Sequence, residues 1–299
     1  MSGSVNGIGP SPLAGQPISP VNRSLVMNAN GLRHPPPPTS HPLTLSQSKP
    51  RMGSAGPPQQ NGTIYELPGP MRARPAWEMS LPFLQPTGPL DSILMGILQR
   101  QRSLATENTP SSLLTGPYHP DLRAFMNPEM SNNVHPVASV ACDLARRLEF
   151  AGFAEKVAAL FLVYHFIQWQ ISPTLETYQN MPDWFHPRPS QLATAHPFVT
   201  SLIIWGTLRD VMVGDQQKYA TEEFINVYQL CITVNWPFRD EDILVFVGEE
   251  LRLTDAFIRH IEIQANWSLN EPFQRRYPEL RDVCRFSELS VPHMGSNAH

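Results

Sequence analysis

The stretch Val157-Ala158-Ala159-Leu160-Phe161-Leu162-Val163-Tyr164-His165-Phe166-Ile167-Gln168-Trp169-Gln170-Ile171 decides how this chain folds. At helical spacing its apolar side chains cover almost every face, and a helix apolar all round is a buried one. Crossing a bilayer takes about 20 apolar residues. This run is shorter and carries His165, Gln168 and Gln170. It reads as the central helix of a helical domain and stops at Ser172-Pro173, because the residue before a proline is pushed out of the helical region.

Upstream, Val137 to Phe150 is a second helix. Val137, Val140, Ala141, Leu144, Ala145 and Leu148 share one face, while Asp143, Arg146, Arg147 and Glu149 turn mostly to water. Gly152 is expected to end it. Leu90 to Leu104 is a third, with Asp91 as expected N-cap and Leu90, Ile93, Leu94, Ile97 and Leu98 on one side. Its three-and-four spacing is too short for a coiled coil and suits a docking helix. Thr106 to Pro120 reads as a loop. Before it, Met1 to about Thr87 is dominated by Gly, Ser, Pro, Asn and Gln and holds more than half of the 32 prolines. Such a segment buries too little apolar surface to offset its ordering entropy, so residues 1–87 are expected to be a disordered tail. Up to Pro75 the tail is mildly basic: Arg23, Arg33, Lys49, Arg51, Arg72 and Arg74 face only Glu66.

Downstream, Pro182, Pro187, Pro189 and Pro197 keep a link extended, and Trp184, Phe185 and Leu192 are placed to pin it to the core. Pro197 suits the first turn of a helix through Val199, Leu202, Ile203 and Trp205. Thr221 caps a further helix, with Glu222 and Glu223 near its positive end, and Trp236-Pro237 is expected to stop it. A short hairpin is expected around Gly248-Glu249-Glu250. Thr254-Asp255 starts another helix, and Glu271 to Tyr277 is the last. The pattern is all-α: an irregular helical domain over 88–286 around a buried central helix, with a disordered Pro-rich tail before it and a second tail at 287–299.

Charged residues are 16% of the 299, below the roughly 25% of ordinary domains. The net charge of -4 gives no general pull toward nucleic acid or anionic membranes. Cys142, Cys231 and Cys284 are odd in number and far apart, which points to a reducing compartment. The N-terminus lacks the pattern of a secretory signal. Cys231 on an apolar stripe reads as a small buried hydrophobe, and His165 as a core histidine with one satisfied nitrogen. His186 and His196 with Asp183 lack the convergence that a metal needs. His260 and Glu262, two apart on a helix, face different ways. No Gly-rich phosphate loop, Gly-x-Ser-x-Gly elbow or His-Glu-x-x-His is present. The expectation is therefore no enzyme, no catalytic residue, no cofactor and no metal site.

Many ordered blocks carry a resemblance: Asp91-Ser92-Ile93-Leu94 with Arg100 and Arg102, Glu155-Lys156-Val157-Ala158, Trp169-Gln170-Ile171-Ser172-Pro173-Thr174, Tyr178 and Pro182-Asp183-Trp184. They continue with Arg188-Pro189-Ser190-Gln191-Leu192, His196-Pro197, Leu208-Arg209-Asp210, Asn235-Trp236-Pro237, Arg259-His260 and Asn266-Trp267-Ser268-Leu269. Over about Leu90 to Leu280 the chain resembles a fungal domain of unknown function that commonly follows a basic leucine zipper (bZIP) in transcription factors. The resemblance implies a nuclear transcription regulator, present in nucleus and cytoplasm or in the nucleus alone. Where the family often has a Trp after the His-Pro pair and a Pro-Trp-Pro further on, this chain has Val199 and Ile204-Trp205-Gly206. A DNA-reading helix needs a dense Lys/Arg stretch leading into a long zipper, and Met1 to Thr87 offers neither. The expected partners are therefore proteins, with no direct sequence-specific DNA binding and no membrane. Trp184, Phe185, Arg188 and Arg209 are the candidate partner surface, since Trp and Arg are common interface anchors. The alternative is a fungal enzyme or small-molecule binder with a pocket between helices.

Overall fold

The computed structural model of the chain describes residues 74–287, except Thr87, Glu107 and Asn108. In chain order the helices begin with α1 (Pro89–Ser103), α2 (Ser111–Thr115), α3 (Arg123–Met126), α4 (Pro136–Arg147) and α5 (Phe153–Ile171). They continue with α6 (Leu175–Gln179), α7 (Pro189–Ala193), α8 (Gly206–Gly214), α9 (Gln216–Tyr219) and α10 (Glu222–Cys231). Strands β1 (Ile232–Thr233), β2 (Leu244–Val247) and β3 (Glu250–Leu253) precede α11 (Asp255–Ile261), β4 (Ser268–Leu269) and α12 (Glu271–Arg276). The fold is all-α with two small two-stranded ladders, β1 with β4 and β2 with β3, both antiparallel. Among the described residues no helix is long and apolar enough to cross a membrane.

The central helix is the expected one. Of α5, nearly every side chain from Ala154 to Ile171 is buried, under α4, α1 and α2. Its polar residues are tied off one by one. Glu155 accepts from Thr233 Oγ1 (3.0 Å) and Val234 N–H (3.1 Å). Gln168 Nε2 donates to the carbonyls of Thr115 (3.1 Å), Gly116 (3.2 Å) and Pro117 (2.8 Å). The Trp169 indole N–H donates to Trp77 O (2.9 Å). These bonds satisfy groups whose unpaired burial would be costly.

Several boundaries differ from the sequence reading. Gly152 does not end α4, which stops at Arg147; its extended backbone (φ -146°) makes it the N-cap of α5. Asp91 is not the cap of α1, a place taken by Gly88 with Pro89 at the first position. Asp91 is instead buried inside the helix and accepts Val199 N–H (3.0 Å). The helix expected from Pro197 to Gly206 forms only a 3-10 turn, Phe198–Leu202, and Gly206 opens α8. Val199, Thr200, Ile203 and Ile204 are β-branched, which lowers helix propensity. α10 stops at Cys231, because Ile232 and Thr233 leave to pair with Leu269 and Ser268. The expected loop Thr106 to Pro120 contains α2.

The expected tail also ends earlier than Thr87. Residues 74–86 lie on the helical body: Leu81 is buried, the Phe83 ring stacks on Phe198 at 4.5 Å, and Leu84 N–H donates to His196 O (3.0 Å). Trp77, Leu81 and Phe83 supply the apolar surface that the composition of the whole segment concealed. Residues 1–73 and 288–299, on which the rest of the two tail expectations fall, lie outside the described residues.

The Thr221 cap is in place, its Oγ1 accepting Phe224 N–H at 3.2 Å. Thr221→Ala is expected to lower stability by about 1 kcal/mol, read as a lower urea midpoint with an unchanged slope.

Candidate functional site

The four residues expected to face a partner are not one surface. Phe185 is 1% exposed and Arg209 0%, which removes both as partner contacts. The reason is the polar wiring of the link. Arg209 Nη1 donates to Phe185 O (3.1 Å) and Gln191 Oε1 (3.2 Å), and Nη2 donates to Trp184 O (2.9 Å). The guanidinium lies 5.6 Å from the Phe185 ring centroid. Among the described residues no carboxylate bonds to it; burial pushes its pKa down to about 10, so it stays cationic at neutral pH. Arg209 is thus an internal clamp from α8 onto the Pro-rich link.

Trp184 is half-buried, and its indole N–H donates to Glu262 O (2.7 Å), stapling the same link to the end of α11. Arg188 is exposed and pairs with Asp210 (2.7 Å), which also accepts from Ser190 Oγ (2.5 Å). A Cβ at Gly206 would sit 2.9 Å from Arg188 Cδ, so the glycine lets that side chain cross the start of α8.

The titratable candidates are scattered, apart from His186 Nδ1, which lies 3.9 Å from Asp183 Oδ1. His165 Nδ1 bonds Gln168 Oε1 (3.0 Å), while Nε2 has no partner among the described residues. His260 Nε2 bonds Val234 O (2.9 Å), and His186 Nε2 bonds Tyr178 O (3.0 Å). His196 lies between Thr194 O and Ser201 Oγ, both at 2.8 Å. Asp183 is exposed, and Cys142, Cys231 and Cys284 are buried thiols. Burial pushes the Cys142 and Cys284 thiols up to about 12, far from the thiolate that reactivity requires. Among the described residues no group of three or more His, Cys, Asp or Glu is placed to hold a metal.

What the geometry does bring together is a groove between α1, α4 and α10, closed at one side by the 197–204 segment. Its mouth holds about 440 Å³ and continues into an apolar recess of about 60 Å³. Leu90, Leu144, Leu148, Val199, Ile225 and Gln229 line both parts. The recess exists because α4 and α5 meet there through small side chains, Ala141, Ala145 and Ala159. Asp91, Arg147, Glu222 and Asn226 stand at the mouth. Burial raises the Asp91 carboxyl above its usual range, against the lowering effect of the Val199 N–H. Arg147 is held by Asp143 (2.7 Å).

Sequence reading found two walls of this groove but not the groove. The stripes on Leu90–Leu104 and Val137–Phe150 were legible as core faces, and a stripe does not say which of its residues a neighbour will leave uncovered; the α10 wall, Ile225 and Gln229, was not singled out. The arrangement is suited to holding apolar side chains over a polar, net acidic rim.

No curated protein and no solved structure matches the chain. Residues 164–289, from the second half of α5 through the last described helix, match the family model described as Domain of unknown function (DUF3425), in line with the resemblance to a bZIP-associated domain of unknown function.

Proposed function

We propose that this chain is a nuclear transcription regulator that works through protein–protein contacts, without reading DNA bases itself and without catalysis. The observation that carries the reading is the groove between α1, α4 and α10, with an apolar floor open to solvent at its mouth. The recess of about 60 Å³ is lined almost wholly by apolar side chains and suits the tip of an aliphatic side chain. The resemblance to zipper-associated domains supports the setting. The sequence of Met1 to Thr87 supports the exclusion of base reading, since it holds no dense Lys/Arg stretch running into heptads. The 440 Å³ mouth lies within the range of small-molecule pockets, so a metabolite bound there is the competing reading.

Ile93 sits half-exposed at the mouth. In affinity purification from nuclei, partners that the wild-type chain retains are expected to be lost with Ile93→Glu, whose melting temperature stays near the wild-type value. Against a purified partner the loss is expected to be about tenfold or more in Kd. A duplex-binding assay at physiological salt is run in parallel, because phosphate contacts alone weaken steeply with salt. Base-selective binding that survives there, or a full partner set on the Ile93→Glu chain, overturns the proposal.

A further inference from the structure

We propose that the outer edge of β2 is a docking strand for an extended apolar peptide segment flanked on both sides by Lys or Arg. The inference shares with the groove only the premise that the chain works through protein contacts, and it rests on a different part of the molecule.

β2 and β3 form a hairpin in the register Leu244 to Leu253, Val245 to Arg252, Phe246 to Leu251 and Val247 to Glu250. Gly248 at φ +62° takes the first central position of the two-residue turn, where an L side chain would be strained. Thr254 N–H donates to Ile243 O (2.8 Å), so 243 and 254 are a hydrogen-bonded pair. Alternation along an antiparallel ladder then turns the N–H and C=O of Leu244 and Phe246 away from β3. Neither residue has another backbone partner among the described residues. The far side of β3 differs: Leu251 O accepts Leu122 N–H (2.7 Å) and Leu251 N–H donates to Asp121 (3.3 Å). One edge of the hairpin is covered and the other is open.

The side chains on the open strand are apolar as well. Val245 is 40%, Phe246 69% and Val247 48% exposed. Phe246 stands opposite Leu251, on the face that carries the buried Leu251 and Leu253, yet no described residue covers it. Proteins usually blunt such an edge with Lys, Pro or a bulge, and this one has none of them between Leu244 and Val247.

Charge says what covers it. Asp240, Glu241 and Asp242 precede the strand, and Glu249 and Glu250 follow it. Arg239 pairs with Glu241 and Arg252 with Glu250, which leaves Asp240, Asp242 and Glu249 without an ion pair among the described residues. Acidic groups therefore stand at both ends of an apolar strand. Strand addition draws affinity from the main chain and specificity from side chains. The complement is an extended segment with alternating apolar residues and a cation at each end. A second copy of β2 brings the same acids to the same ends and is disfavoured.

The test uses the full chain and a synthetic peptide, Lys-Lys-Val-Thr-Val-Thr-Val-Lys-Lys, with fluorescence anisotropy as the readout. Binding is expected to be about tenfold or more tighter than for the counterpart flanked by Glu. It is expected to weaken with salt and to vanish when alternate peptide amides are N-methylated, which removes ladder donors without altering the protein. Phe246→Ser, at an exposed position, is expected to weaken binding without unfolding the chain, and Ile93→Glu in the groove to leave it unchanged. Equal binding of the Glu-flanked or N-methylated peptide overturns the proposal, and so does no binding at all. A concentration-dependent dimer in sedimentation that Phe246→Ser abolishes also overturns it, by assigning the edge to a second copy. Base-selective DNA binding would remove the proposed function and leave this result standing.

Discussion

Replacing Arg209 with alanine is expected to destabilise the chain by about 4 kcal/mol, because it strips the donors from a set of buried acceptors and opens a cavity behind them. The Trp184 and Phe185 carbonyls and Gln191 Oε1 all accept from this one guanidinium. The two carbonyls belong to the link between α6 and α7, a segment whose prolines prevent regular hydrogen bonding of its own, and Gln191 stands in the first turn of α7. Without the guanidinium the two carbonyls lose their donor, Gln191 Oε1 keeps only the Arg188 N–H (3.0 Å), and α8 loses its attachment to the link. Arg209→Lys is expected to recover only part of the loss, since an ammonium lacks the fork that reaches carbonyls on two residues and a side-chain amide together. Urea unfolding at pH 7 measures both variants. A loss below about 1 kcal/mol for the alanine variant would mean that the clamp is incidental to the fold.

The second large effect is acid sensitivity centred on His165. Burial among Tyr118, Phe161 and Tyr164 pushes its pKa down from 6.5 to about 3, outweighing the hydrogen bond that Nδ1–H donates to Gln168 Oε1, which favours the cation. The folded state therefore binds fewer protons than the unfolded chain between those values. Its contribution is fully present above pH 6.5 and is lost as the pH falls toward 3. For one such group the loss is about 1.4 kcal/mol per pH unit, about 3 kcal/mol by pH 4.

Burial also lowers His119, His186 and His196, which add to the slope in the same direction. Asp91 and Glu262, which burial raises, work against it. The clean quantity is the difference between wild type and His165→Phe, which keeps a ring in the aromatic cluster. Urea midpoints from pH 7 to pH 4 are expected to fall less steeply for the variant. Parallel slopes would show that this histidine takes up a proton as readily folded as unfolded.

Those two side chains also mark where sequence reading succeeds and where it stops. His165 was legible as a core histidine with one satisfied nitrogen, because an all-round apolar helix has no face that could put it in water. Arg209 was not. Its block, Leu208-Arg209-Asp210, reads as an apolar residue followed by two surface charges, and only Asp210 keeps to that. The clamp depends on carbonyls some twenty positions earlier in a proline-rich link, and periodicity carries no information about irregular backbone. The Thr221 cap and the Gly248 turn were legible because their chemistry is local. The β1–β4 ladder escaped notice because two residues per strand is too short for alternation to show. The strap at 74–86 escaped because three apolar residues were averaged into a low-complexity segment.

The groove is the same lesson at larger scale. Ile93 and Leu148 each belong to a stripe that amphipathic spacing identifies, and their spacing is the same whether or not a neighbour covers them. The open edge of β2 was partly visible: the hairpin was expected, but its exposure depends on how it overhangs the body.

Part of what shields α5 is synthesised well after it. The Phe166 ring meets Phe185 and Phe198, and Glu155 waits for Thr233 and Val234, nearly eighty positions later. While the ribosome is still adding those segments, a helix with grease on every side has only α1, α2 and α4 to lean on. A nascent chain in that state exposes the surface that drives misassembly, so its passage from ribosome to native state is a natural task for chaperones.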